Sequence, residues 1–190
     1  MLAAGSARRM GQLKQLLPIN EKPVIRHCLE TIIDSGINDV VTVLGGGGEK
    51  IIEVINDLPV KIVFNKAPQS EMAESFRIGL QAVDAFSTGV LVCLCDHPLV
   101  SKETFKVLTH FHEEEPDRIL IPVYNGIRGH PTLFPKSVIT DIFLGINLRE
   151  IINRNPDRVK PVRVKDEGVI LDMDTTDDYR KILERTGKEK

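Results

Sequence analysis

Residues 89–96 read GVLVCLCD, an unbroken apolar run that stops on an acid. A strand with one wet face alternates polar and apolar residues, whereas a run that is apolar at every position suits a strand covered on both faces. Three further runs are of the same kind: VVTVL at 40–44, VKIVF at 60–64 and ILIPV at 119–123. Between them, apolar residues recur at spacings of three and four around Pro23 to Ser35, Glu49 to Asn56, Met72 to Ala85 and Thr104 to Glu114, which predicts helices. Ser70 and Ser101 are candidate N-caps. Strand and helix in alternation predict an α/β fold around a mostly parallel sheet with right-handed crossovers.

The pattern changes after residue 119. ILIPVYNGIRGHPTLF reads as two short strands around Asn125 and Gly126, a hairpin inserted on the sheet rather than another crossover. A last helix is expected from about Asp177 to Arg185, followed by a frayed polar tail. No repeat, low-complexity tract or linker interrupts the chain, so residues 1–190 are expected to form a single domain.

Composition narrows the function. With 190 residues, 42% hydrophobic and 27% charged, the chain can bury a full core. No apolar run reaches the roughly 20 residues that would span a bilayer. The opening MLAAGSARRM lacks the apolar stretch of a signal peptide, so a cytoplasmic address is expected. A net charge of −2 marks neither a nucleic-acid nor a membrane surface. Cys28, Cys93 and Cys95 are an odd number of thiols and predict no disulfide framework. Cys93, Cys95 and His97 spell C-x-C-x-H, a possible zinc set, although alternate strand residues share a face and the two cysteines also read as small hydrophobes.

In a parallel α/β sheet, ligands bind at the carboxyl ends of the strands. Three places qualify: Gly5 to Lys14, Gly45 to Gly48, and Asp96. The first, within LAAGSARRMGQLK, offers backbone N–H groups among small residues together with Arg8, Arg9 and Lys14, all donors for a polyphosphate; the competing reading is a solvated basic loop. GGGGEK at 45–50 lacks the Lys-Ser/Thr pair of a P-loop and reads as a flexible turn. Asp96 ends a buried strand, where a carboxylate is costly unless paired or bound to a cation such as magnesium; it could equally be a helix-start carboxylate. LDMDTTDD places Asp172 and Asp174 on one face of a short strand, or serves as a capping run in which Thr175 or Thr176 starts the last helix. GIRGHP sets Arg128 and His130 in a turn, side chains that suit an anionic or heteroaromatic substrate; the competing reading is a histidine that is simply solvated.

Together these segments resemble the MobA-like nucleotidyltransferases. LAAGSARRMGQLK resembles the family's nucleotide loop L-A-A-G-x-S-x-R-M-G-x-x-K, CDHPLV its metal-binding GDMP or GDQP segment, GIRGHPTLF its RGHP segment, and LDMDTTDDY its DIDTPEDY close. The matches lie in order across nearly the whole chain, and the LAAG opening is most similar to the molybdenum cofactor cytidylyltransferase branch. The resemblance implies a Rossmann-like three-layer sandwich and magnesium-dependent transfer of CMP from CTP to the phosphate of molybdenum cofactor, with a molybdoenzyme as a possible recipient of the product. It implies that Leu2, Ala3, Ala4, Gly5, Arg9, Lys14 and Ser75 bind the nucleotide and that Arg9, Lys14 and Asp96 serve catalysis. Metal would be held by Asp96 with Asp174 or Asp172. Arg128, Gly129, His130 and Pro131 would meet the pterin.

The departures are specific. The motif serine falls on Ala7, beside Ser6; the Gly-Asp pair is Cys95-Asp96; and the Thr-Pro-Glu-Asp turn is Thr-Thr-Asp-Asp. The family also carries an apolar strand ahead of LAAG, where this sequence has Met1 alone. Either the start is assigned late or the sheet is completed differently, because flanking strands without a central neighbour would expose their backbone groups. Two other functions use the same features: nucleotidyl transfer to a sugar phosphate or alcohol phosphate, and non-catalytic holding of molybdenum cofactor.

Overall fold

A computed structural model describes residues 1–4, 13–67 and 72–187. Ten strands are present among these: β1 (Leu2–Ala3), β2 (Pro18–Ile19), β3 (Lys22–Pro23), β4 (Val41–Leu44), β5 (Lys61–Phe64), β6 (Gly89–Val92), β7 (Ile119–Tyr124), β8 (Ile127–Arg128), β9 (Thr132–Pro135) and β10 (Val159–Arg163). β1 pairs in parallel with β4, and β4 with β5. A parallel bridge from Leu2 to Leu94 then joins β1 to the chain leaving β6. β9 is antiparallel to both β6 and β7, and β7 is parallel to β10. The sheet therefore runs β5-β4-β1-β6-β9-β7-β10, with β9 alone reversed.

Helices cover both faces, as the unbroken apolar runs require. On one face α1 (Val24–Asp34) and α7 (Thr176–Thr186) pack with Phe105 of α4 (Lys102–Glu114) against Ala3, Leu44, Cys93 and Cys95. On the other, α3 (Met72–Gln81), α5 (Lys136–Ile139) and α6 (Leu148–Arg154) pack against Val92, Ile119, Ile121 and Phe134. β7 shows the alternation directly: Ile119 and Ile121 belong to that second cluster, while Leu120 packs with Leu108 of α4. The arrangement is the expected three-layer α/β sandwich. No helix of the described residues is long and apolar enough to cross a membrane.

Local chemistry explains the boundaries. Ser101 caps α4 as expected, its Oγ accepting from Thr104 N, and Asp166 Oδ2 gathers Ser101 N (2.8 Å), Ser101 Oγ (2.9 Å) and Thr104 Oγ1 (2.6 Å). Thr175 caps α7 in a reciprocal box with Asp178. Ser70 lies outside the described residues. The helix expected to reach Asn56 is the short α2 (Gly48–Ile52), after which i→i−3 bonds from Val54 and Ile55 tighten the chain. The same tightening at Ala82 and Val83 ends α3 before Ala85.

The hairpin forms as β7 and β8, with Asn125 (φ 47°) and Gly126 (φ 83°) both left-handed as a two-residue hairpin turn demands. Its expected second strand is split, however: Ile127–Arg128 pairs back onto β7, and Thr132–Pro135 enters the main sheet beside β6. Residues 171–174 form no strand, which corrects the reading that set Asp172 and Asp174 on one strand face. The glycine run is no slack turn either. A Cβ at Gly45 would lie 2.6 Å from the Ala4 carbonyl oxygen, Gly47 is left-handed at φ 84°, and Gly48 starts α2. Cys93 and Cys95 are core residues, and burial pushes the Cys93 thiol up to about 11, which keeps it protonated and favours the small-hydrophobe reading over a thiolate ligand.

The missing-strand expectation resolves in two parts. Leu2 and Ala3 do form the central strand, bonding to Val43 on one side and to Cys93 and Cys95 on the other. Beside Met1, the flanking residues Val41, Gly89 and Leu91, with Phe76 and Leu80 of α3, line an apolar cavity of about 300 Å³.

Gly45→Ala is expected to lower stability by about 1–3 kcal/mol, because backbone must move to admit the methyl group. Gly46→Ala is the control, since nothing lies within 4 Å of its Cβ position. Urea midpoints of the two variants measure the difference, and equal midpoints would refute the close approach.

Candidate active site

Lys14 opens a single 3-10 turn, Lys14–Leu16, just after residues 5–12. The turn is tied down from beneath, where buried Gln15 donates from Nε2 to the Ala3 carbonyl at 2.9 Å. Asp96 leaves the β6 strand line two residues past the Leu2–Leu94 bridge. Asp174 sits between Met173, fully buried in the core, and the α7 cap Thr175. Three distant segments thus converge at the carboxyl ends of the parallel strands, where such a fold places its ligands.

Their meeting point is the Lys14 ammonium. Nζ lies 3.0 Å from Asp96 Oδ2, 3.1 Å from Asp174 Oδ1 and 3.5 Å from the Met173 carbonyl oxygen. Burial works against the charged lysine, but the two carboxylates outweigh it and raise its pKa. Burial also disfavours the Asp96 carboxylate, yet the hydrogen bond from His97 and the Lys14 charge hold its pKa well below the carboxylate range. Asp172, two residues before Asp174, is exposed and is not among the partners of Lys14, so Asp174 is the acidic residue of this pair that the fold brings to Asp96.

Asp96 makes a second connection. Its Oδ1 lies 3.1 Å from His97 Nδ1, and the His97 ring stands edge-on to His130 with centroids 5.0 Å apart. His130 is held by its backbone, its N–H donating to the Val169 carbonyl at 2.8 Å. Gly129 has to be glycine for this approach, since a Cβ there would lie 2.2 Å from the same carbonyl oxygen. Pro131 follows through a cis peptide. Burial, with His97 as a like-charged neighbour, lowers the His130 pKa to about 4, and its Nδ1 is buried without a hydrogen-bond partner.

The remaining expected residues fall into two groups. Leu2 and Ala3 lie in β1 and carry the loop, with Ala4 packed against Gly45 at its start. Ser75 is buried in α3, where its Oγ accepts from Asn65 Nδ2 at 2.9 Å while Asn65 Oδ1 accepts from Ala67 N at 3.0 Å; the pair pins the end of β5 to the helix. Arg128 is exposed on β8. Gly5, Ser6, Arg8 and Arg9 lie outside the described residues. No local pattern in the sequence marks Asn65, and the sequence sets His97 beside the cysteines, whereas the fold bonds it to Asp96. The 300 Å³ apolar cavity lies at the amino ends of β4 and β6, the opposite edge from Asp96, so its size does not make it the seat of the polar chemistry.

The MobA-like NTP transferase domain family matches residues 1–156. Nicotine blue oxidoreductase of Paenarthrobacter nicotinovorans is 28% identical over 195 residues, covering 96% of this chain and 94% of that protein. Molybdenum cofactor cytidylyltransferase of Escherichia coli is 25% identical over 187 residues, covering 96% and 93%. Among solved structures, Rv0371c of Mycobacterium tuberculosis is similar with a TM-score of 0.85 at 27% identity, covering 96% of this chain and 95% of that one. A second structure of Rv0371c, in complex with manganese, has a TM-score of 0.80 at 26% identity over 96% and 95% of the two chains.

His130 is expected to stay neutral down to about pH 4, against about 6.5 for an unperturbed imidazole. The unfolded chain takes up that proton first, so His130 withdraws stability as pH falls from about 6.5 to 4 and withdraws no more below that. An NMR titration of the histidine rings should place its midpoint near 4; a midpoint above 6 would contradict the geometry.

Proposed function

This chain belongs to the MobA-like NTP transferase family and is a nucleotidyltransferase of that kind, and from that premise we propose that it transfers CMP from CTP to the phosphate of molybdenum cofactor. A phosphate oxygen of the acceptor bonds to the α-phosphorus of CTP, the bridge to the β-phosphate breaks, and pyrophosphate leaves with that electron pair. The observation that carries this reading is the convergence of Lys14, Asp96 and Asp174 at the carboxyl ends of the strands. Such a transfer asks a protein for alignment and charge neutralisation rather than a covalent intermediate.

The two carboxylates fit a hard divalent cation. Each reaches a single ammonium within 3.1 Å, and oxygen ligands suit magnesium or manganese. Among the described residues no group of three or more His, Cys, Asp or Glu side chains is arranged to hold a metal, so phosphate oxygens and water would complete the shell. Bound there, the cation supplies charge neutralisation and Lewis acidity at the phosphates. Lys14 and Arg9 bind the triphosphate, and Ser75 with Asn65 braces the wall beside it. His130, neutral at physiological pH, and Arg128 face the acceptor. The reaction is assigned to the cytoplasm, with a molybdoenzyme as recipient of the product.

Asp96→Asn is expected to abolish transfer while leaving the fold intact. The decisive assay follows pyrophosphate with magnesium, each of the four nucleoside triphosphates, and molybdenum cofactor, a sugar phosphate or an alcohol phosphate as acceptor. CTP should exceed GTP in kcat/KM, since Ala4 carries a methyl group where the guanylyltransferase branch has glycine and a purine needs more room. A ratio at or below unity removes the cytidylyl assignment, and release only with another acceptor changes the substrate. Stoichiometric retention of the pterin without pyrophosphate from any combination would instead favour non-catalytic holding of molybdenum cofactor.

A further inference from the structure

Lys14 does more in this arrangement than await a triphosphate. Its ammonium stands between Asp96 Oδ2 and Asp174 Oδ1, at 3.0 and 3.1 Å, with the Met173 carbonyl oxygen at 3.5 Å. A divalent cation ligated by those two carboxylate oxygens needs contacts of about 2.0–2.1 Å to them. It would then crowd the ammonium, and two like charges a few ångströms apart in a half-buried pocket repel strongly. Lysine and metal therefore compete for one position. The lysine already stands there in the free protein, its side chain 20% exposed, that of Asp96 25% and that of Asp174 43%.

We propose that Lys14 is a resident substitute for the metal, holding Asp96 and Asp174 closed to divalent cations until a triphosphate draws its ammonium away. This deepens the nucleotidyltransferase reading and rests on it for the identity of the trigger. The phosphates offer Lys14 several anionic oxygens in exchange for two carboxylates, and they also bring the ligands that the two aspartates cannot supply. Metal and nucleotide thus enter as a pair. The free protein avoids both an uncompensated pair of facing carboxylates and an idle metal. No bond is made or broken in the exchange; one cation replaces another at the same oxygens.

The geometry beneath the lysine supports movement of its side chain alone. The Lys14–Leu16 turn is fixed by the Gln15 bond to Ala3, by Leu16 N to the Leu13 carbonyl at 2.9 Å and by Leu17 N to the Lys14 carbonyl at 3.3 Å. The backbone can stay in place while the four-carbon stem swings, which a lysine does readily because its charge sits at the end of a flexible chain.

The test is manganese binding to the free protein, read by electron paramagnetic resonance without nucleotide or turnover. Wild type should bind weakly, Lys14→Met at least tenfold more tightly, and Lys14→Arg no better than wild type. Equal or weaker binding by Lys14→Met overturns the proposal. Should that variant fail to fold, Lys14→Gln decides: it too removes the ammonium, and manganese binding no tighter than in wild type refutes the substitution. Repeating the titration of wild type with a non-hydrolysable CTP analogue separates the two claims. If the Lys14→Met result holds but no triphosphate analogue binds, the substitution stands and the nucleotidyltransferase reading falls.

Discussion

Two hydrogen bonds at Leu2 close the sheet. Its N–H donates to the Cys93 carbonyl at 2.8 Å and its carbonyl accepts from Cys95 N at 3.1 Å, while the Met1 carbonyl accepts from Val43 N at 2.9 Å on the other side. Without them, β5 and β4 would be one small sheet and β6, β9, β7 and β10 another. Everything at the site inherits its position from this seam. Ala3 and Ala4 emerge beside Gly45, and Asp96 emerges beside Ala3, because the strands that carry them are neighbours through a single residue.

The seam brings charge together that would otherwise be costly. Asp96 lies at the end of a buried strand and is stabilised by Lys14, 82 residues earlier, and by His97, the next residue. Asp174 is delivered by packing, since Met173 is anchored in the core and Thr175 begins α7. Tyr179 ties that helix back to the Pro18 carbonyl at 2.6 Å, close in sequence to Lys14. The acidic segment and the basic turn are thus fastened to each other twice, once by charge and once by a neutral hydrogen bond.

Much of this was legible in the sequence because the informative signals are local. Apolar runs at 40–44, 60–64, 90–95 and 119–123 each hold a strand, and Asn125-Gly126 makes its hairpin because only residues tolerant of positive φ fit there. Asp96 was readable as a charge at a strand end and Lys14 as a donor in the opening loop, while Asp172 and Asp174 stood as alternatives. What escaped depends on partners far along the chain. The hairpin reading makes TLFP antiparallel to β7, as it is, but nothing in TLFP says that it also enters the main sheet beside β6, and nothing in DMD says which aspartate turns toward Lys14, since that follows from the burial of Met173. Gly45 looked like slack because its reason, the Ala4 carbonyl, is about forty residues away. Nor does the sequence show that the Ser75 hydroxyl accepts from Asn65, ten residues earlier.

The Leu2 seam also has a consequence for assembly. Val43 lies about forty residues from Leu2 along the chain and Cys93 and Cys95 about ninety, so the two half-sheets are joined only by contacts between distant segments. Contacts that close long loops are made at a greater entropic cost than those within a hairpin such as Ile119–Arg128, so the centre of the sheet is a late and slow part of the fold to assemble.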